Sequence, residues 1–102
     1  MNTKQTVVVS TKQELINIIK SSPVDANLNY LDVSSITDMS YLFTNSEFTG
    51  DISKWNVSNV TNMATMFYGS EFNGDISKWN VSSVTNMFGI FCNSKFNNDI
   101  SE

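Results

Sequence analysis

Residues 50–63 read GDISKWNVSNVTNM, and residues 74–87 read GDISKWNVSSVTNM. Thirteen of these fourteen positions are identical, the exception being Asn59 against Ser83. Trp55 and Trp79 are 24 residues apart, as are Asp51 and Asp75, which sets the period. Residues 51–74 match residues 75–98 at sixteen of 24 positions. One period earlier, residues 27–50 match residues 51–74 at nine positions, and the apolar ones are kept in kind. Leu28, Leu31, Val33, Ile36, Met39, Phe43 and Phe48 stand where Ile52, Trp55, Val57, Val60, Met63, Phe67 and Phe72 stand. A fixed period in this range is the signature of units that bury their apolar faces against one another.

Two apolar spacings recur in each copy. Ile52, Trp55 and Val57 end in a step of two, which predicts a short strand with one buried face. Val60, Met63, Met66 and Phe67 follow at steps of three, three and one, which predicts one face of a short helix or 3₁₀ segment. Ser34, Ser58 and Ser82 precede these segments and are candidate N-caps. The fold expected is therefore an α/β solenoid of leucine-rich-repeat type. Short parallel strands would form one face and short helical segments the other. Residues 27–102 would hold three repeats (27–50, 51–74, 75–98) and the start of a fourth at Asp99.

Residues 1–26 stand outside the repeat. TVVV reads as a strand, and Leu15, Ile18 and Ile19 share one face of a helix over KQELINIIK that Pro23 ends. Ser10–Gln13 and Thr11–Glu14 both have capping-box spacing. This strand and helix are expected to form an N-terminal cap over the first repeat. The other end has no counterpart, so the C-terminal edge is a candidate for pairing with a second copy of the chain or with a partner.

Composition narrows the chemistry. The 102 residues carry a net charge of −4, no His and a single Cys. A chain so charged, without a basic run, is not expected to bind nucleic acid. No window is apolar for long enough to insert into a membrane as a helix. One cysteine excludes an internal disulfide, and the absence of His removes the commonest general base and transition-metal ligand. No catalytic constellation is recognisable, and neither an enzyme activity nor a cofactor is expected. Asp51, Asp75 and Asp99 would align as an acidic ladder. Lys54 and Lys78 offset that charge, so no metal site is assigned. Cys92 is expected to be a buried or half-buried structural thiol, and Met39, Met63, Met66 and Met87 to fill the core.

The run W-N-V-S-N-V-T-N-M-x-x-M-F followed by F-N-G-D-I resembles the repeat of the BspA-like leucine-rich-repeat proteins, a family of bacterial surface proteins. The resemblance spans residues 27–101. It implies a leucine-rich-repeat-like fold, exposure at the cell surface or secretion, adhesion and protein binding. If Met1 is the natural start, the lack of a signal segment points instead to the cytoplasm. On either reading the expected role is a non-catalytic module that binds a protein partner. A small cytosolic partner-binding or immunity-type protein and a structural spacer are the alternatives. The candidate binding residues are the outward positions of the expected strands: Tyr30, Asp32, Lys54, Asn56, Lys78 and Asn80. Tyr30 is the residue of the set with the interface-anchor character of an aromatic.

Overall fold

Asx turns, rather than strands and helices, shape the repeated part of the chain. In the first copy Asn27 accepts the Asn29 N–H, Asp32 that of Ser34, and Asp38 that of Ser40, all at 2.9–3.0 Å. The second copy repeats this with Asp51 and Ser53, Asn56 and Ser58, and Asn62 and Ala64. The third does so with Asp75 and Ser77, Asn80 and Ser82, and Asn86 and Phe88. A fourth corner in each copy is a serine hydroxyl, Ser46, Ser70 or Ser94, accepting the N–H of the phenylalanine two residues on. Short polar side chains that bond two residues ahead offer the backbone an alternative to both helix and ladder. Backbone turns reinforce them: Trp55, Val60, Met66, Tyr68 and Ser70 each donate to the carbonyl three residues back.

The structure, a computed structural model, describes residues 6–97. Among these the regular elements are strand β1 (Val7–Val8), helix α1 (Lys12–Ser21) and strand β2 (Leu31–Asp32). β1 and β2 pair in parallel, with Val7 opposite Leu31 and Val8 opposite Asp32. In α1 the capping box is closed by Thr11 and Glu14 rather than by Ser10 and Gln13. The helix ends before Pro23, with the Ser22 N–H bonded to the Ile19 carbonyl.

The expected α/β solenoid is therefore not what forms. One helix and one two-stranded sheet stand where a strand face and a helical face would require both elements in every copy. Residues 55–57 and 79–81 form no strand, and residues 60–67 and 84–91 form no helical segment. Ser58 caps no helix; its N–H and hydroxyl both donate to Asn56. The radius of gyration is 12.7 Å, close to the roughly 13 Å of a compact domain of this size. The fourth unit proposed at Asp99 lies outside the described residues.

The copies nevertheless pack side by side in register. Isolated parallel bridges join Asn27 to Asp51, Asp38 to Asn62 and Asn62 to Asn86. The indole N–H of Trp55 donates to the Leu28 carbonyl at 2.9 Å, and that of Trp79 to the Ile52 carbonyl at 3.1 Å. These bonds satisfy buried ring nitrogens and tie each copy to the one before. The two indoles lie 6.4 Å apart with planes within 5°. Phe43, Phe67 and Phe91 form a second file at 5.4 and 5.6 Å, and Phe48, Phe72 and Phe96 a third at 6.2 and 6.3 Å. The core runs from Val9 and Leu15 through Phe72 to Trp79 and thins beyond it. Val81, Val84, Ile90, Phe91 and Phe96 are only partly buried. Met87, expected in the core, is 38% exposed. Cys92, expected to be at least half buried, is exposed.

Candidate recognition surface

Each copy turns twice through the left-handed region, at Tyr41, Thr65 and Gly89 and again at Asn45, Gly69 and Asn93, with φ between 54° and 64°. Glycine and asparagine enter this region readily; a bulky or β-branched residue does so at a cost of about 1–2 kcal/mol. Tyr41 is thus held at φ 64° where Gly89 serves in the third copy. Its backbone is fixed by the Tyr41 N–H bond to the Ala64 carbonyl at 3.1 Å. The tight path leaves the ring no place in the core, and Tyr41 is 64% exposed.

Helix α1 holds the ring from one side. The Lys12 ammonium sits 5.4 Å from the Tyr41 ring centroid, donates to Ser40 Oγ at 2.8 Å and lies 3.5 Å from Asp38 Oδ1. Burial alone would raise the Asp38 carboxyl. The Ser40 hydroxyl and N–H and the Lys12 charge outweigh it, and the net displacement is below the ordinary 3.8. Beside the ring, Tyr41, Thr44, Thr65 and Tyr68 line an open apolar groove of about 240 Å³. A second groove of about 400 Å³ runs between Ile16 and Ile19 of α1 and the Tyr41–Ser46 segment. The two share Tyr41 and Thr44, so one tyrosine links them.

The polar positions singled out in the sequence lie elsewhere. Lys54, Asn56, Lys78 and Asn80 are exposed, whereas Asp32 is half-buried. Tyr30 is half-buried too and packs against the core. Lys54 and Lys78 come together with Ser53 and Asp75 around a shallow depression of about 390 Å³. Asn56 and Asn80 spend their side-chain oxygens on turns. The Ser34 hydroxyl and N–H hold the Asp32 carboxyl below 3.8, and the Ser77 hydroxyl and N–H do the same for Asp75. For Asp51 the Ser53 N–H is the leading cause. These carboxylates are structural acceptors, and among the described residues no group of three metal-ligating side chains converges. Asp99 lies outside the described residues. Also among the described residues, no helix is long and apolar enough to cross a membrane.

The chain matches a described family over residues 13–102, that of a Mycoplasma protein of unknown function, DUF285. The chain belongs to the DUF285 family. No curated protein and no solved structure matches it. Within this DUF285 chain the Tyr41–Tyr68 groove escaped the sequence reading, although a signal was present. Positions 41, 65 and 89 carry Tyr, Thr and Gly, and positions 44, 68 and 92 carry Thr, Tyr and Cys. They vary while the framework around them repeats, which is how a surface residue differs from a core one.

Proposed function

We propose that this DUF285 chain is a non-catalytic protein-binding module of the BspA-like type, engaged in partner recognition or adhesion at a bacterial surface. The observation that carries the reading is Tyr41, an aromatic kept exposed on a left-handed backbone and facing an apolar groove. Strained residues that the surroundings hold in place concentrate at functional sites. Tyrosine supplies the large, rigid contact typical of interface anchors. The groove is shallow, which suits a protein side chain better than an enclosed small molecule.

The test is capture of partners from bacterial and host lysates with the intact chain, Tyr41→Ala, Tyr68→Ala and the double variant Lys54→Glu/Lys78→Glu. Loss of the same partner with both tyrosine variants, with the thermal midpoint kept, supports the reading. A partner lost only with the lysine variant would move recognition to the polar row. No specific partner at all would favour a structural spacer.

A further inference from the structure

The two grooves that meet at Tyr41 lie between α1, the first copy and the second, inside the described part of the chain. Their walls are closed to main-chain pairing. Every N–H from Tyr41 to Ser46 already donates within the chain. Those of Tyr41, Phe43 and Asn45 go to the second copy, and those of Leu42, Thr44 and Ser46 to the carbonyl three residues back. Opposite them, the Thr65 and Tyr68 N–H groups donate to the Phe88 and Thr65 carbonyls. The threonine hydroxyls turn inward as well, Thr44 Oγ1 to the Thr65 carbonyl at 2.6 Å and Thr65 Oγ1 to the Ala64 carbonyl at 2.7 Å. A strand laid on this surface would find no row of donors, so its own peptide groups would lose water without replacement.

What remains for a ligand is aromatic and aliphatic surface with a tyrosine hydroxyl at its rim. The Tyr68 hydroxyl accepts from Asn93 Nδ2 at 3.4 Å and keeps its own hydrogen to donate. A segment bound by such contacts needs a backbone that asks for no partner on this surface. An α-helix, bonded internally, and a polyproline helix, whose peptide groups stay in water, both qualify. A helix is about 10–12 Å across and needs an uninterrupted trough. Here the Tyr41 ring, 64% exposed, stands between the groove of about 240 Å³ and the one of about 400 Å³. A polyproline chain is narrow, with three residues per turn, and sets one turn on each side of such a ridge. Charge adds a second demand. Lys20 is the one charged residue lining the two grooves, and its ammonium has no hydrogen bond or ion pair among the described residues. Lys12, by contrast, is held by Ser40 and Asp38.

We infer that the two grooves bind one proline-rich segment of a partner protein, wound as a polyproline helix and carrying carboxylates at the end that reaches Lys20. This rests on the reading of the Tyr41 surface as a protein-binding site and names the class of partner. Prolines pack on the Tyr41 and Tyr68 rings, as such segments do in aromatic-lined grooves. Little ordering entropy is lost, because the helix is already formed in the free segment. The Tyr68 hydroxyl donates to a carbonyl of the segment. The carboxylates pair with Lys20 at an exposed rim, where charge chiefly fixes register and excludes cationic segments.

The probes are two labelled peptides, EEPPLPPLPA and APPLPPLPEE, one for each chain direction, titrated into the full chain. One of them is expected to bind saturably below about 1 mM, shifting the amide signals of Ile19, Thr44, Thr65 and Tyr68. Tyr41→Ala and Lys20→Glu should each weaken that binding about tenfold. Lys in place of both Glu of the peptide should abolish binding to the unaltered chain and restore it to Lys20→Glu. A peptide with Ala at every proline, which favours the α-helix, should bind about tenfold more weakly. No saturable binding by either peptide, full affinity in Lys20→Glu, or equal or tighter binding of the Ala peptide would overturn the inference. The protein-binding reading fails separately, if Tyr41→Ala and Tyr68→Ala release no partner captured from lysate. A captured partner that both tyrosine variants release, but that neither proline peptide displaces, would keep that reading and overturn this inference.

Discussion

Phe67 and Phe91 hold equivalent positions in neighbouring copies, so truncating each to alanine measures how unevenly the core is built. Phe67 is completely buried and contacts five other rings, those of Phe43, Phe72, Trp79, Phe91 and Phe96, at 5.0–6.5 Å. An aromatic side chain buries about 150 Å² or more, which at about 25 cal/mol per Å² corresponds to roughly 4 kcal/mol. That falls inside the range of about 3–5 kcal/mol for Phe→Ala in cores that cannot collapse around the cavity. Phe91 touches only Phe67 and Phe96 among the rings and is partly exposed. Its truncation removes less buried area at a flank free to relax, so about 2 kcal/mol is expected. A domain of this size has a total stability of about 5–15 kcal/mol, so both variants should remain folded in water. Urea unfolding followed by far-UV circular dichroism gives the two costs, provided the slope stays constant. The expected difference is about 2 kcal/mol, or roughly 8–16 °C in midpoint. Equal costs, or a larger one for Phe91, would refute the argument and show the third copy to be packed as firmly as the second.

Gly69→Ala should destabilise by about 1–2 kcal/mol from its left-handed backbone alone, and by more because the new Cβ would meet Asn45 Oδ1. Asn93→Gly, at the same place in the next copy, should stay within about 0.5 kcal/mol, since relief of strain offsets added freedom in the unfolded chain. Thermal unfolding of the pair checks both. Trp55→Phe should cost about 1–2 kcal/mol, read by denaturant titration: the indole bond is lost, yet the Leu28 carbonyl still accepts the Leu31 N–H. The lowered carboxyls of Asp32, Asp38, Asp51 and Asp75 stabilise the fold above their unfolded value near 3.8. That contribution is lost as pH falls through the still lower folded values, so the thermal midpoint should hold down to about pH 4 and then drop. Asp38→Asn, which keeps an acceptor for the Ser40 N–H but cannot titrate, should flatten that acid limb. An unchanged limb would show that Asp38 plays no part in it.

Much of the core was legible from spacing alone. Every apolar position aligned between the first two copies, from Leu28 and Ile52 to Phe48 and Phe72, is buried. Burial requires only that a side chain return to the same side once per period, whatever path the backbone takes between. For the same reason the spacing misled about the path. Trp55-x-Val57 satisfies a strand, but it equally satisfies a turn whose corner is an Asn bonded to a Ser two residues on. Helix α1 was readable because its bonds are local and its cap lies within four residues. The groove was not, because Tyr41 and Tyr68 come from different copies and meet only when the copies lie in register.

By itself, then, the sequence determined the 24-residue period, the apolar positions of the first two copies that return to the core and the amphipathic helix α1. These follow from chemistry written residue by residue. Only the tertiary structure decided that the copies are linked by isolated bridges and indole bonds instead of a continuous sheet. It also decided that Tyr41 stands in solvent between buried Ser40 and Leu42, and that Phe88 is exposed where Ser40 and Ala64 are buried or half-buried in the earlier copies. Those outcomes depend on hydrogen bonds between residues about 24 apart, and on which side of each copy another copy covers. Neither is encoded in any local stretch of the chain.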